Sequence, residues 1–100
     1  MIEVSRLQDG IKIRGHANYA PRGQDIVCSA VSILIQTLIQ SIEELTADKI
    51  KYSMSPGKVD IKFWCLSDRS KVLLDAFFVG VDMLATTYPD NVSCSGKANS

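Results

Sequence analysis

Five short stretches of the chain alternate apolar with polar residues, and two long ones repeat apolar residues at helical spacing. Ile2, Val4 and Leu7 open a first strand, and Ile11 and Ile13 alternate with Lys12 and Arg14 in a second. Between them, Asp9-Gly10 predicts a hairpin, since both residues tolerate the positive φ that a type I′ turn needs. His16 follows at the end of the second strand, so the hairpin delivers it to one rim of a sheet. Residues Asn18 to Gln24 form a polar loop that Pro21 stiffens and Gly23 loosens. Val27, Val31, Leu34, Leu38, Ile42 and Leu45 then recur at three and four, which predicts a helix with one buried stripe. Ile26, Ala30, Ile33, Ile35 and Ile39 widen that stripe, so the helix is expected to be covered on more than one face, by a second helix or a second subunit. Asp25 is placed to cap it, because its carboxylate can accept from an N–H two or three residues on.

The second half repeats the plan. Ile50, Tyr52 and Met54 alternate with Lys51 and Ser53, and Val59, Ile61, Phe63 and Cys65 alternate with Lys58, Asp60, Lys62 and Trp64. Ser55-Pro56-Gly57-Lys58 between them has Pro and Gly where a type II turn needs them. Trp64 falls on the polar face, as a contact residue or as edge packing. Ser67 or Asp68 caps a second helix reaching about Thr87, with Leu73, Phe77, Val81 and Leu84 as its stripe and Val72, Ala76, Val79 and Met83 beside it. Gly80 either permits close helix approach or weakens the helix. Val92 and Cys94 suggest a last short strand, and 96–100 a frayed polar tail. The order β-β-α-β-β-α-β predicts an α+β fold: one domain over 1–100, with a mainly antiparallel or mixed five-stranded sheet and two helices.

Composition narrows the function classes. Eleven Lys and Arg balance eleven Asp and Glu, which argues against direct nucleic-acid or anionic-membrane binding, although a local patch can hide in a neutral total. The apolar run Ile26 to Ile39 is too short to span a bilayer. No basic segment followed by an apolar core opens the chain, so no signal peptide is expected. Three cysteines, Cys28, Cys65 and Cys94, match no zinc or redox spacing, and with a single His no metal or cofactor is expected. A reduced, cytoplasmic protein is the simplest expectation.

The chemistry concentrates in Gly15 to Ser32. A histidine at a strand end and a cysteine at a helix start are the minimum parts for a thiol nucleophile and its proton shuttle. A helix N-terminus favours the reactive thiolate, and its N–H groups, including that of Cys28, are candidate oxyanion donors. The plain alternatives are a buried core cysteine and a histidine bonded to backbone. Asp25 caps the helix or orients His16 as a third member. Ser32, one turn beyond Cys28, braces the site or bonds its own helix. Cys65, inward on its strand, and Cys94 read as structural; a redox sensor would need one of them close to Cys28.

Gly15-His16-Ala17, followed by Gly23-Gln24-Asp25-Ile26-Val27-Cys28-Ser29-Ala30-Val31-Ser32, closely resembles the signature of the ribosomal-processing cysteine protease family, Prp. The resemblance implies Cys28 as nucleophile and His16 as base and acid, with Gly15, Asp25 and Ser32 as site supports. It implies that the loop bearing Tyr19, Ala20 and Gly23 grips substrate, where the residues alone suggest an ordinary connection. It further implies that the chain removes a short N-terminal extension from large-subunit ribosomal protein number twenty-seven, as a homodimer. The competing class is a non-enzymatic, ribosome-associated binding module, which has no need of a reactive thiol at position 28.

Overall fold

A computed structural model describes residues 1–21 and 24–96. Gly23 and the end of the expected tail, 97–100, lie outside the described residues. The chain runs β1 (Ile2–Leu7), β2 (Gly10–Arg14), α1 (Ile26–Leu45), β3 (Ile50–Ser55), β4 (Lys58–Phe63), α2 (Asp68–Thr87) and β5 (Val92–Ser95). The strands form one sheet in the order β3-β4-β2-β1-β5. Three pairings are antiparallel and β1–β5 is parallel, so the α+β fold with a mixed sheet is as expected.

Register explains the layers. Val4 lies opposite Ile13, Ile13 opposite Val59, and Ile11 opposite Ile61, so the apolar residues of the central strands share one face. The two helices pack on that face. From α1 it receives Val27, Val31, Ile35, Leu38, Ile39 and Ile42, and from α2 Leu74, Phe77, Phe78 and Val81. Gly80 lets the helices approach, because a Cβ there would stand 2.8 Å from a methyl of Leu34.

Several details differ from the sequence pattern. The first turn is Gln8–Asp9, with no positive φ, and Gly10 already pairs with Leu7 and Lys62. Gly10 is there because a Cβ would collide with the Ile61 carbonyl across the β2–β4 pair. Strand β4 ends at Phe63, and Cys65 turns outward at φ 41° and is exposed. On α1 the buried stripe includes Ile35 and Ile39, while Ile26, Ile33 and Leu45 are exposed. On α2 Leu74 and Phe78 are buried, while Val72, Val79 and Met83 face outward. Helix α1 spans 20 residues, so by length and composition it is long enough to cross a bilayer. Here its buried face forms the core of the α/β layer.

Candidate active site

The histidine is placed by two glycines. Gly15 has φ 96°, and a Cβ on it would collide with the Met1 carbonyl. Its N–H donates to the Gly57 carbonyl at 2.9 Å, tying the end of β2 to the β3–β4 turn. Gly57 has φ 73°, as the second central position of a type II turn requires. The His16 ring lies against it, so that a Cβ at 57 would stand 2.8 Å from Nε2. His16 is otherwise exposed to solvent at the rim.

Asp25 is the N-cap of α1 and also holds the preceding loop. One carboxylate oxygen accepts from the N–H groups of Val27 (3.0 Å) and Cys28 (2.9 Å). The other accepts from Tyr19 (3.0 Å) and Ala20 (3.4 Å). Burial opposes its ionisation, but these donors, with Cys28 and Tyr19 foremost, outweigh it and hold the carboxyl below the usual aspartate range. No hydrogen bond joins Asp25 to His16 among the described residues, so of its two candidate roles the geometry shows the cap. The same contact corrects an expectation about the oxyanion, since the Cys28 N–H is committed to Asp25.

Cys28, half-buried in the first turn of α1, receives a different donor. The Ala17 N–H donates to its sulfur at 3.3 Å. Ala17 is itself buried, and its carbonyl accepts from the Asn91 side-chain amide at 2.8 Å. Tyr88, at the end of α2, packs edge-on against Tyr19 with ring centroids 5.3 Å apart. The α2–β5 junction thus braces the segment between the histidine and the loop.

His16 and Cys28 line one open cleft of about 530 Å³, together with Asn18, Ala20, Asp25, Ser29 and Pro56. Gly15 supports it from behind, Tyr19 is held beside it by Asp25 and Tyr88, and Ser32 is exposed on α1 outside the lining. The sequence pattern did not single out Asn18, Ser29, Pro56 or Asn91 as site residues. Asn18, at φ 55°, carried the one local signal, because Asn is enriched in left-handed backbone. Asn91 had none, being 74 residues from its partner. The three cysteines are free. Among the described residues no group of three His, Cys, Asp or Glu side chains could hold a metal ion.

The sequence model of the family described as cysteine protease Prp matches residues 1–93. The ribosomal processing cysteine protease Prp of Mycoplasma genitalium is 26% identical over 94 residues, 92% of each chain. The fold is shared with the essential ribosomal processing protease Prp of S. aureus, solved with a covalently linked product peptide: TM-score 0.86, 19% identity, 96% of this chain and 97% of that one. A Streptococcus mutans protein superposes with a TM-score of 0.78 at 26% identity, over 94% of this chain and 90% of that one. The match over nearly the whole sequence, with a histidine and a cysteine on one cleft, makes this chain a member of the cysteine protease Prp family, and so a cysteine protease rather than a non-enzymatic module.

Proposed function

We propose that the enzyme removes the short N-terminal extension of large-subunit ribosomal protein number twenty-seven by cysteine–histidine acyl transfer. The observation that carries the mechanism is the shared cleft of His16 and Cys28, with the Ala17 N–H aimed at the sulfur. His16 takes the thiol proton, and the sulfur attacks the scissile carbonyl carbon. His16 returns the proton to the departing amine as the C–N bond breaks, leaving a thioester on Cys28. Water, deprotonated by His16, then releases the extension as a carboxylate. With the Cys28 N–H occupied, the Ala17 N–H beside the sulfur is the donor we assign to the oxyanion of the tetrahedral intermediates, formed first as the sulfur attacks and again as water attacks the thioester. The Prp names of the Mycoplasma genitalium and S. aureus relatives, and a second S. aureus structure in complex with a substrate peptide, support the substrate class.

The test is cleavage of the extended ribosomal protein from the same cell, read by mass spectrometry. One N-terminal cut by the wild type, lost in Cys28→Ala and in His16→Ala, is expected. An uncut substrate, or a cut that survives Cys28→Ala, contradicts the proposal. The setting proposed is cytoplasmic, and recovery of the chain in the medium or membrane fraction would contradict that.

A further inference from the structure

The sheet face turned away from the helices carries an unexpected charge pattern. Lys12 and Arg14 of β2, Lys51 of β3, and Lys58 and Lys62 of β4 all point to it, with only Glu3 and Asp60 as carboxylates among the described residues. The face holds net +3, while the chain as a whole is neutral. The remaining surface therefore carries net −3, and a neutral sum conceals a polarised molecule. Arg14 bonds Asp60 at 2.8 Å, and its other nitrogen donates to the Val59 carbonyl, so this pair is neutralised in place. The Asp60 carboxyl lies below its usual range first through that bond, against burial, and then through the charges of Arg14, Lys58 and Lys12.

Two cross-strand pairs on this face have like charges directly opposed: Lys51 opposite Lys62, and Arg14 opposite Lys58. Such pairs destabilise a sheet. Lysines that protect a sheet edge from aggregation would explain Lys51. They do not explain Lys12, Lys58 and Lys62, which stand on the inner strands β2 and β4. The repulsion is relieved when a repeating anion lies across the face. Alternate residues along a strand are roughly 6.6 Å apart and neighbouring strands about 4.8 Å, which presents the ammonium groups as a grid.

We infer that this face binds single-stranded RNA. Trp64, 56% exposed one residue beyond the end of β4, has the sequence parity of Lys62 and offers a stacking surface for an unpaired base near the lysines. Ser5, Ser53, Ser55, Ser93 and Ser95 share the face and supply hydroxyls for phosphate and ribose oxygens. A membrane-seated surface would instead need a broad apolar side, and among the described residues only Met1, Leu7 and Trp64 of this parity are large, apolar and exposed. Arg14 and Lys58 flank Gly15 and Gly57, so the basic face runs up to the catalytic rim. Bound RNA would bring a ribonucleoprotein substrate alongside the cleft. Choosing RNA over DNA rests on the ribosomal reading above; the phosphate-binding face does not.

Trp64 is the sole tryptophan, so its fluorescence reports on this face directly. A labelled single-stranded RNA twelve-mer, titrated into the full chain, is expected to quench Trp64 and raise the label's anisotropy. About three phosphate contacts predict roughly 20-fold weaker binding between 50 and 200 mM salt. The triple variant Lys12→Gln, Lys51→Gln, Lys62→Gln should bind at least about tenfold more weakly at 50 mM with a flatter salt slope. It should melt no lower than the wild type, since Lys51 and Lys62 no longer repel across β3 and β4, and should keep the wild-type rate of Cys28 alkylation. No quenching at 50 mM salt, equal binding by the triple variant, tighter binding of the matching DNA strand, or preferential binding of anionic vesicles or polyglutamate would each overturn the inference. Because binding is read without cleavage, these outcomes are independent of the protease proposal.

Discussion

At the scale of single residues, the carboxylate of Asp25 couples the helix that presents the thiol to the loop that follows the histidine. Its four N–H partners come from both sides, at 19, 20, 27 and 28. Asp25→Ala is therefore expected to lower Tm by several degrees and to slow Cys28 alkylation, because cap and loop are released together. Asp25→Asn should fall between, since the amide keeps one accepting oxygen. The sign of the pH effect follows from the lowered folded-state value. The ionised cap contributes its full stability above the unfolded aspartate pKa of about 3.9, and loses it as pH falls through the lower folded value. Asp48, which accepts from the Ser67 N–H and both serine hydroxyls of Ser67 and Ser70, is lowered likewise and acts in the same window. Thermal melts should be flat from pH 7 to 5 in this respect and fall steeply below about pH 4. A wild type and an Asp25→Ala variant that lose stability in parallel below pH 4 would remove Asp25 from this account.

At the scale of elements, the β3–β4 turn is part of the site. Gly57 bonds the end of β2 through its carbonyl and leaves room for the His16 ring. Gly57→Ala would strain a left-handed backbone by about 1 kcal/mol and push the ring from its seat. We expect a loss of kcat well beyond what the change in Tm accounts for, with KM little changed. Unaltered kcat would show that the seat is irrelevant. The turn type was legible in Pro56-Gly57, because those residues fix φ locally. That its inner side would meet His16 was not, since the contact depends on β4 pairing with β2 rather than with its sequence neighbour alone. The same limit explains Asn91. Helix positions were legible from spacing, but which residue is buried depended on the packing angle. Ile33 and Val79 fit the apolar repeats yet face outward, while Leu74 and Phe78 are buried.

At the scale of the whole molecule, a layer of two helices covers the sheet as far as β4 and leaves β3 bare beyond Ile50. Ile61 and Val59 are buried, whereas Tyr52 and Met54, directly opposite them, are exposed. With Ile33 of α1 and Val72, Val79 and Met83 of α2 also exposed, the chain has apolar surface to bury. We propose a homodimer, which sedimentation at micromolar concentration should register as twice the 11.0 kDa chain mass; a single species at the monomer mass would contradict it. Fold order, the histidine at a strand end and cysteine at a helix start that meet on one cleft, and the cap were legible because each is written in local residue types. Charge segregation across the sheet was not, because a sum over the chain discards position. The most direct test of the account is the thioester itself. Wild-type enzyme mixed with the extended ribosomal protein, quenched in acid within the first turnover and mapped by mass spectrometry, should carry the released extension, less one water, on Cys28. An adduct on exposed Cys65, or continuing cleavage by Cys28→Ala, would contradict the claim that position 28 is the nucleophile.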